Sequence, residues 1–180
     1  IARTEKEFEA IARLNYETFV EEIPQHEPDP SGMRVDAFHH ENVYVIVLKD
    51  QELAGMVAFR AARPFSLDLK LGQVEEYLPK DALGGLLCEV RLMAVDKAHR
   101  NGRVFYYLAR ALSDYAYENG YGAALISGTV REQKLYNQLG FEPFADPVGT
   151  EEAKFIPMVL TRDRFDQSVA SRFKQKRYYL

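Results

Sequence analysis

A strand, a polar turn, a helix and a second strand follow one another between Leu86 and Ser127, and this order most limits what the chain can fold into. "LLCEVRLMAV" (Leu86–Val95) is apolar and β-branched enough for a buried strand. "HRNGR" (His99–Arg103) interrupts it. From Gly102 to Glu118, Val104, Leu108, Ala111, Leu112 and Tyr115 recur on one helical face, and Asn119-Gly120 ends the helix. "AALIS" (Ala123–Ser127) is the next buried strand. Two strands joined through a helix cross over right-handed and lie parallel. The sheet must therefore hold a parallel pair.

The remaining segments add to that unit. Thr4–Val20 reads as an amphipathic helix, with Thr4 and Glu7 as a capping box and Phe8, Ile11, Ala12, Leu14 and Phe19 at helical spacing. "IPQHEPDPSG" is an irregular, proline-rich loop. "VYVIVL" (Val43–Leu48) and "LAGMVAF" (Leu53–Phe59) form an antiparallel hairpin across "KDQE". "RPFSLDLKLGQVEEYLP" mixes short periods around one brief helix. A short helix from Arg131 to Leu139 stops at Gly140, and "FIPMVLT" (Phe155–Thr161) is the last strand. The expected class is α/β (α+β): a mixed, mostly antiparallel sheet with a central parallel pair, flanked by helices.

A length of 180 residues suits one domain, expected over 1–165, with 166–180 as a basic tail or linker stub ending in "KRYYL". The chain opens at Ile1 without a methionine and closes on aromatics, so one module of a longer polypeptide is expected. A net charge of −4 argues against a duplex nucleic-acid binder, which needs a basic face. The single cysteine, Cys88, cannot form an intrachain disulfide and points to a reducing cytoplasm. No apolar run approaches the roughly 18 residues of a membrane span.

Chemistry is expected where charge meets the apolar strand. Strict alternation puts Glu89, Arg91, Met93 and Val95 on one face of it, and Cys88, Val90 and Leu92 on the other. Two ionisable groups there either neutralise each other or line a cleft, since an unpaired buried charge is costly. The turn after the strand delivers a helix amino end, whose free N–H groups and dipole favour an anion. Gly102 allows close approach, and Arg100 and Arg103 add positive charge; a solvated capping turn is the plainer reading.

The stretch "AVDKAHRNGRVFYYLARAL", a strand, and then "REQKLYNQLGFEPF" resemble the core of the GCN5-related N-acyltransferases over roughly Glu41 to Thr161. "KLYNQLGF" (Lys134–Phe141) is similar to that family's tyrosine-bearing helix followed by Leu-Gly-Phe. The turn departs from the family's pattern: His99 stands first, Gly102 at the first glycine and Val104 at the last small position. The segments "LNYETFVEEIP", "DAFHHENVYVIVLKDQELAGMVAFR" and "CEVRLMAV" are more similar to acyl-homoserine-lactone synthases and long-chain N-acyl amino acid synthases.

The resemblance implies transfer of an acyl group from acyl-CoA or acyl carrier protein to a small amine acceptor such as an amino acid. It implies no permanently bound cofactor, only the acyl-CoA or acyl-phosphopantetheine co-substrate, and parallel strands splayed around the thioester. The turn residues Arg100, Asn101, Gly102, Arg103 and Val104 would hold phosphate, and strand residues Leu92, Met93, Ala94 and Val95 the pantetheine and polarised carbonyl. Glu89 would be the general base and Tyr136 the acid for the leaving thiolate, with Arg91 and Ser127 meeting the acceptor. The competing class is a non-catalytic module of the same fold that senses acyl-CoA within a larger protein.

An acyl chain longer than acetyl is expected if Phe65, Leu67, Leu69, Leu71 and Tyr77 wall a tunnel; otherwise they cover the sheet. Asp36, His39, His40 and Glu41 suggest a metal only weakly, because adjacent strand histidines point apart. No metal is expected. Cys88 is expected to be a small core residue, and Tyr106 and Tyr107 to pack.

Overall fold

The computed structural model describes residues 1–23, 26–100, 102–150 and 154–168. Its strands are β1 (Val43–Lys49), β2 (Glu52–Arg60), β3 (Leu86–Val95), β4 (Tyr121–Thr129), β5 (Glu142–Pro143), β6 (Val148–Gly149) and β7 (Lys154–Thr161). They form a seven-stranded sheet in the order β1-β2-β3-β4-β7-β5, with β6 also on β7. β3 and β4 are parallel, from Leu86↔Tyr121 to Glu89↔Leu125, as the crossover rule requires. The pairs β1–β2, β4–β7, β5–β7 and β6–β7 are antiparallel. The helices are α1 (Glu5–Tyr16), α2 (Asp68–Leu71), α3 (Arg103–Glu118), α4 (Gln133–Gln138) and α5 (Arg162–Ser168).

The chain divides into two compact units. The first takes the described residues of Ile1–Ala61 and Val90–Glu118; the second takes Ala62–Glu89 and the described residues from Asn119 onward. β3 belongs to both, changing unit between Glu89 and Val90.

In the first unit, α1 begins at the expected capping box. Glu7 N–H donates to Thr4 Oγ1 (3.3 Å), and Thr4 N–H donates to Glu7 Oε2 (2.8 Å). The α-helix ends at Tyr16, and Glu17–Glu22 continue as a π-helical turn. Ile11 and Leu14 of α1 bury against Tyr44, Met56, Ala58 and Ala94, each contributing about 1.5–3 kcal/mol of transfer free energy. On the other side, Val104 and Leu108 of α3 pack on Val45, Ala54 and Val57. Gly55 makes that approach feasible: a Cβ there would stand 2.6 Å from Val104 Cγ1. Tyr115 meets Phe59 edge to face, and Tyr107, though 55% exposed, meets Tyr106 edge to face at 5.6 Å.

The alternation expected along β3 fails at one residue. Leu92 has φ +51°, a left-handed conformation rare for a β-branched or bulky side chain. Val90, Met93 and Val95 consequently share the α3 side, and Leu92 and Ala94 the α1 side. Met93 and Val95 do not continue one alternating row from Arg91. The strand bulges, and bulges re-aim side chains beside functional sites.

In the second unit, Phe65, Leu67, Val74, Leu78 and Ala82 cover Ala123 and Leu125 of β4 and Val159 of β7. The segment expected to hold one brief helix contains α2 and a further turn, Val74–Glu76, and another turn, Lys80–Gly84, follows it. Asp68 organises its start, accepting from Phe65 N–H (2.6 Å), Arg63 Nη2 (2.7 Å) and Val74 N–H (3.3 Å). Of the expected tunnel residues, Phe65 and Leu67 are core and Leu69 is 67% exposed. Leu71 and Tyr77 line an open groove of about 500 Å³ with Pro143, Phe144, Pro147 and Val148. The short pairs β5 and β6 and the helix α5 were not expected from the sequence. Beyond Ser168, the expected tail lies outside the described residues.

Candidate active site

Glu89 ends the second unit's share of β3 and is 1% exposed. The turn that enters α2 supplies its partners. Ser66 N–H donates to Oε2 (3.1 Å), Leu67 N–H donates to Oε1 (3.3 Å), and the Ser66 hydroxyl also donates to Oε1. Sequence reading missed Ser66 and Leu67, because a pairing twenty-odd residues away leaves no periodic trace.

Tyr136 sits on α4 with its ring 6.3 Å from that of Phe141, edge to face. The Leu-Gly-Phe sequence after it is a Schellman C-cap. Phe141 N–H donates to Tyr136 O (3.0 Å), Gly140 N–H donates to Asn137 O (3.1 Å), and Gly140 takes φ +95°. The motif therefore fixes how α4 ends and where its tyrosine stands. Burial raises the Tyr136 phenol above its ordinary pKa, so it keeps its proton well beyond neutral pH.

Ser127 is on β4, where its Oγ accepts from Lys70 Nζ at 3.3 Å, and Lys70 also lies 4.8 Å from the Phe155 ring centroid. Cys88 is buried, its Sγ donating to Ala123 O at 3.6 Å. Desolvation, with Glu89's charge second, pushes the thiol up to about 12. It is a neutral core residue at any working pH.

In the first unit, Arg91 Nη2 donates to Asp36 Oδ1 (3.0 Å), and the guanidinium lies 4.8 Å from the Phe38 ring centroid. Arg60, 1% exposed at the end of β2, stacks on the same ring at 3.7 Å and pairs with Glu41. Asp36 also accepts from Asn42 Nδ2 (2.8 Å), and His39 Nδ1 meets the Tyr44 hydroxyl (3.2 Å). His39 and His40 stand on a 3-10 turn rather than a strand, with rings 5.3 Å apart. Among the described residues no three His, Cys, Asp or Glu side chains gather as metal ligands would.

In the turn before α3, Gly102 takes φ +82°, the left-handed region that favours glycine. No atom of the described residues lies within 4 Å of a Cβ built there. Arg100 is bidentate on Glu22, both bonds at 2.7 Å, and its Nε donates to Val95 O (3.0 Å). Arg103 opens α3 and is exposed, Val104 is buried in the core, and Asn101 lies outside the described residues.

The N-acyl amino acid synthase FeeM family model matches residues 10–163. The chain belongs to this family. It is an N-acyltransferase enzyme, which sets aside the sensor alternative. No curated protein matches the sequence.

Solved structures repeat the family's fold. The CoA-dependent acyl-homoserine-lactone synthase BjaI, solved with SAM and isopentyl-CoA, superposes at a TM-score of 0.74 with 20% identity, over 93% of this chain and 82% of that one. FeeM, an N-acyl amino acid synthase from uncultured soil microbes, gives 0.72 and 18%, over 96% and 95%. An acyl-CoA N-acyltransferase from Pseudomonas aeruginosa gives 0.58 and 16%, over 87% and 91%. The fold is that of the GCN5-related N-acyltransferases, as the resemblance of the sequence to that family implied. No helix among the described residues is long and apolar enough to cross a membrane.

The sequence had left a signal for Arg60, which was not singled out as a site residue. It closes the otherwise apolar run "LAGMVAFR", where a charge needs a partner.

Proposed function

We propose that this N-acyltransferase joins the acyl group of a coenzyme A thioester to the α-amine of an amino acid. The observation that carries the reading is the buried carboxylate of Glu89, on which three donors of the α2 entry converge. An amino acid arrives mostly as an ammonium and must lose a proton before its nitrogen can attack. Glu89 receives that proton, the amine attacks the thioester carbonyl, Tyr136, protonated because it is buried, supplies a proton to the departing thiolate, and the nitrogen's second proton restores the phenol. Within the second unit, Ser127 with Lys70 offers the acceptor a polar contact.

On the donor side, the amides of Leu92, Met93, Ala94 and Val95 would hold the pantetheine and the polarised carbonyl oxygen, with the positive φ of Leu92 breaking the strand there. The backbone N–H groups around Gly102 and Arg103, at the start of α3 before Val104, would hold the phosphates. The BjaI structure was solved with isopentyl-CoA, which supports CoA over a carrier protein as the donor form. A carrier protein would present the same phosphopantetheine thioester.

The test pairs acyl-CoA and acyl-carrier-protein donors of graded chain length with single amino acids, following free thiol and product mass. Amide product with CoA donors is expected. Folded Glu89→Gln should lose roughly 10²–10⁴ in rate with donor affinity kept. Thiol release that never exceeds hydrolysis, or a Gln variant at full rate, overturns the reading.

A further inference from the structure

A base as buried as Glu89 exchanges protons with a substrate through a group that touches it. At 1% exposure its carboxylate is withdrawn from solvent. Its donors from the α2 entry are two backbone amides and one hydroxyl. An amide N–H only donates, whereas a hydroxyl donates one proton and accepts on its lone pairs, so it can receive a proton as it gives one up.

Placement favours the same atom. Phe65 is 1% exposed and Leu67 0%, both in the core, while Ser66 between them is only half-buried. The backbone that carries Ser66 is held on its far side. Asp68 accepts from Phe65 N–H and from Arg63, and Arg63 also pairs with Glu75 at 2.5 Å. A relay needs its oxygen at a fixed hydrogen-bonding position, and this turn supplies one.

We propose that the Ser66 hydroxyl is the proton relay between the acceptor amine and Glu89. The proposal rests on Glu89 being the base. As the C–N bond forms, the ammonium proton passes to Ser66 Oγ, and the hydroxyl's own proton passes to Glu89 Oε1. The C–S bond then breaks, the thiolate takes its proton from Tyr136, and the tyrosinate is restored by the second proton that the nitrogen gives up as it becomes an amide. Ser66 and Tyr136 end as they began, and Glu89 carries the first proton that the amine lost.

Ser66→Ala, Ser66→Thr, Glu89→Gln and the double variant Ser66→Ala/Glu89→Gln would be compared by single-turnover acyl transfer in H2O and D2O, with thermal unfolding as the check on folding. Ser66→Ala should slow transfer roughly 10²-fold or more and change the solvent isotope effect. Ser66→Thr, which keeps the hydroxyl, should restore most of the rate. The double variant should be no slower than Glu89→Gln, because members of one relay are not additive. If Ser66→Ala does not fold, Ser66→Gly, which keeps the backbone N–H on Glu89, takes its place with the same expectation. A slow Glu89→Gln beside a fast Ser66→Ala, additive losses in the double variant, or a folded Thr variant without rescue overturns the relay and leaves the base standing. A fast Glu89→Gln removes the base, and the relay with it.

Discussion

Gly128 and Tyr136 are fitted to each other across β4 and α4: a Cβ on Gly128 would stand 2.9 Å from Tyr136 Cδ2. The same added carbon would lie 3.1 Å from Met158 Sδ on β7. The bare backbone at Gly128 therefore leaves room for the phenol ring beside the strand. Gly128→Ala should push the ring outward. We expect a loss of about 1–3 kcal/mol in unfolding free energy, the usual cost of overpacking, and a fall in turnover larger than any change in donor affinity. Denaturant unfolding and single-turnover kinetics check the two parts, and an Ala variant matching the wild type in both would show that the ring has another place to go.

How the sequence relates to this site differs from element to element. Helix and strand positions were legible because local periodicity encodes them. Leu86–Val95 needed only its apolar run, and α3 only its face of Val104, Leu108 and Leu112. The Leu-Gly-Phe stop was legible because a Schellman cap is a local motif. The bulge at Leu92 was not, since a positive φ on a leucine contradicts propensity and must be imposed by packing on both faces of β3. The partners of Glu89 were hidden for another reason. They are backbone N–H groups and a hydroxyl from a turn with no regular period, and nothing in "RPFSLDLK" marks it as facing a carboxylate.

Cys88 should be chemically silent in the folded protein. It is 1% exposed, and its thiol is pushed up to about 12, chiefly by desolvation. Thiolate is the reactive species, so negligible labelling by an aromatic disulfide reagent is expected at pH 8, with one equivalent taken up after denaturation. Rapid labelling of the native protein would mean that the β3–β4 region opens readily.

The Glu22–Arg100 pair should add to stability in an acid-sensitive way. Arg100's hydrogen bonds hold the Glu22 carboxyl below its usual range. A depressed folded pKa contributes stability above the unfolded value, near 4.3, and that contribution is lost as pH falls through the lower, folded value. Arg100 is 43% exposed on its side chain, so solvent screening limits the pair to about 0.2–1 kcal/mol. Glu22→Gln should lower stability slightly at pH 7 and flatten its decline below pH 4.5, measured by thermal unfolding across pH. Parallel wild-type and variant curves would assign the acid loss to other carboxylates.

Tyr136→Phe separates the proton from the ring. Phenylalanine keeps the edge-to-face contact with Phe141 and the packing on Gly128, so the fold and the Schellman cap at Gly140 should be preserved. What it removes is a phenol whose proton burial retains above the ordinary pKa of about 10. A thiolate leaving group accepts a proton less urgently than an alkoxide would, so the loss should lie at the lower end of general-acid effects, around 10²-fold in turnover. Because a raised pKa keeps the group protonated through pH 9, Tyr136 should contribute no inflection to the wild-type rate between pH 6 and 9, and the variant's loss should be constant across that range. A loss that grows only below pH 7 would point to a different proton donor. An unchanged rate would leave Tyr136 as a packing residue whose position the Leu-Gly-Phe stop happens to fix.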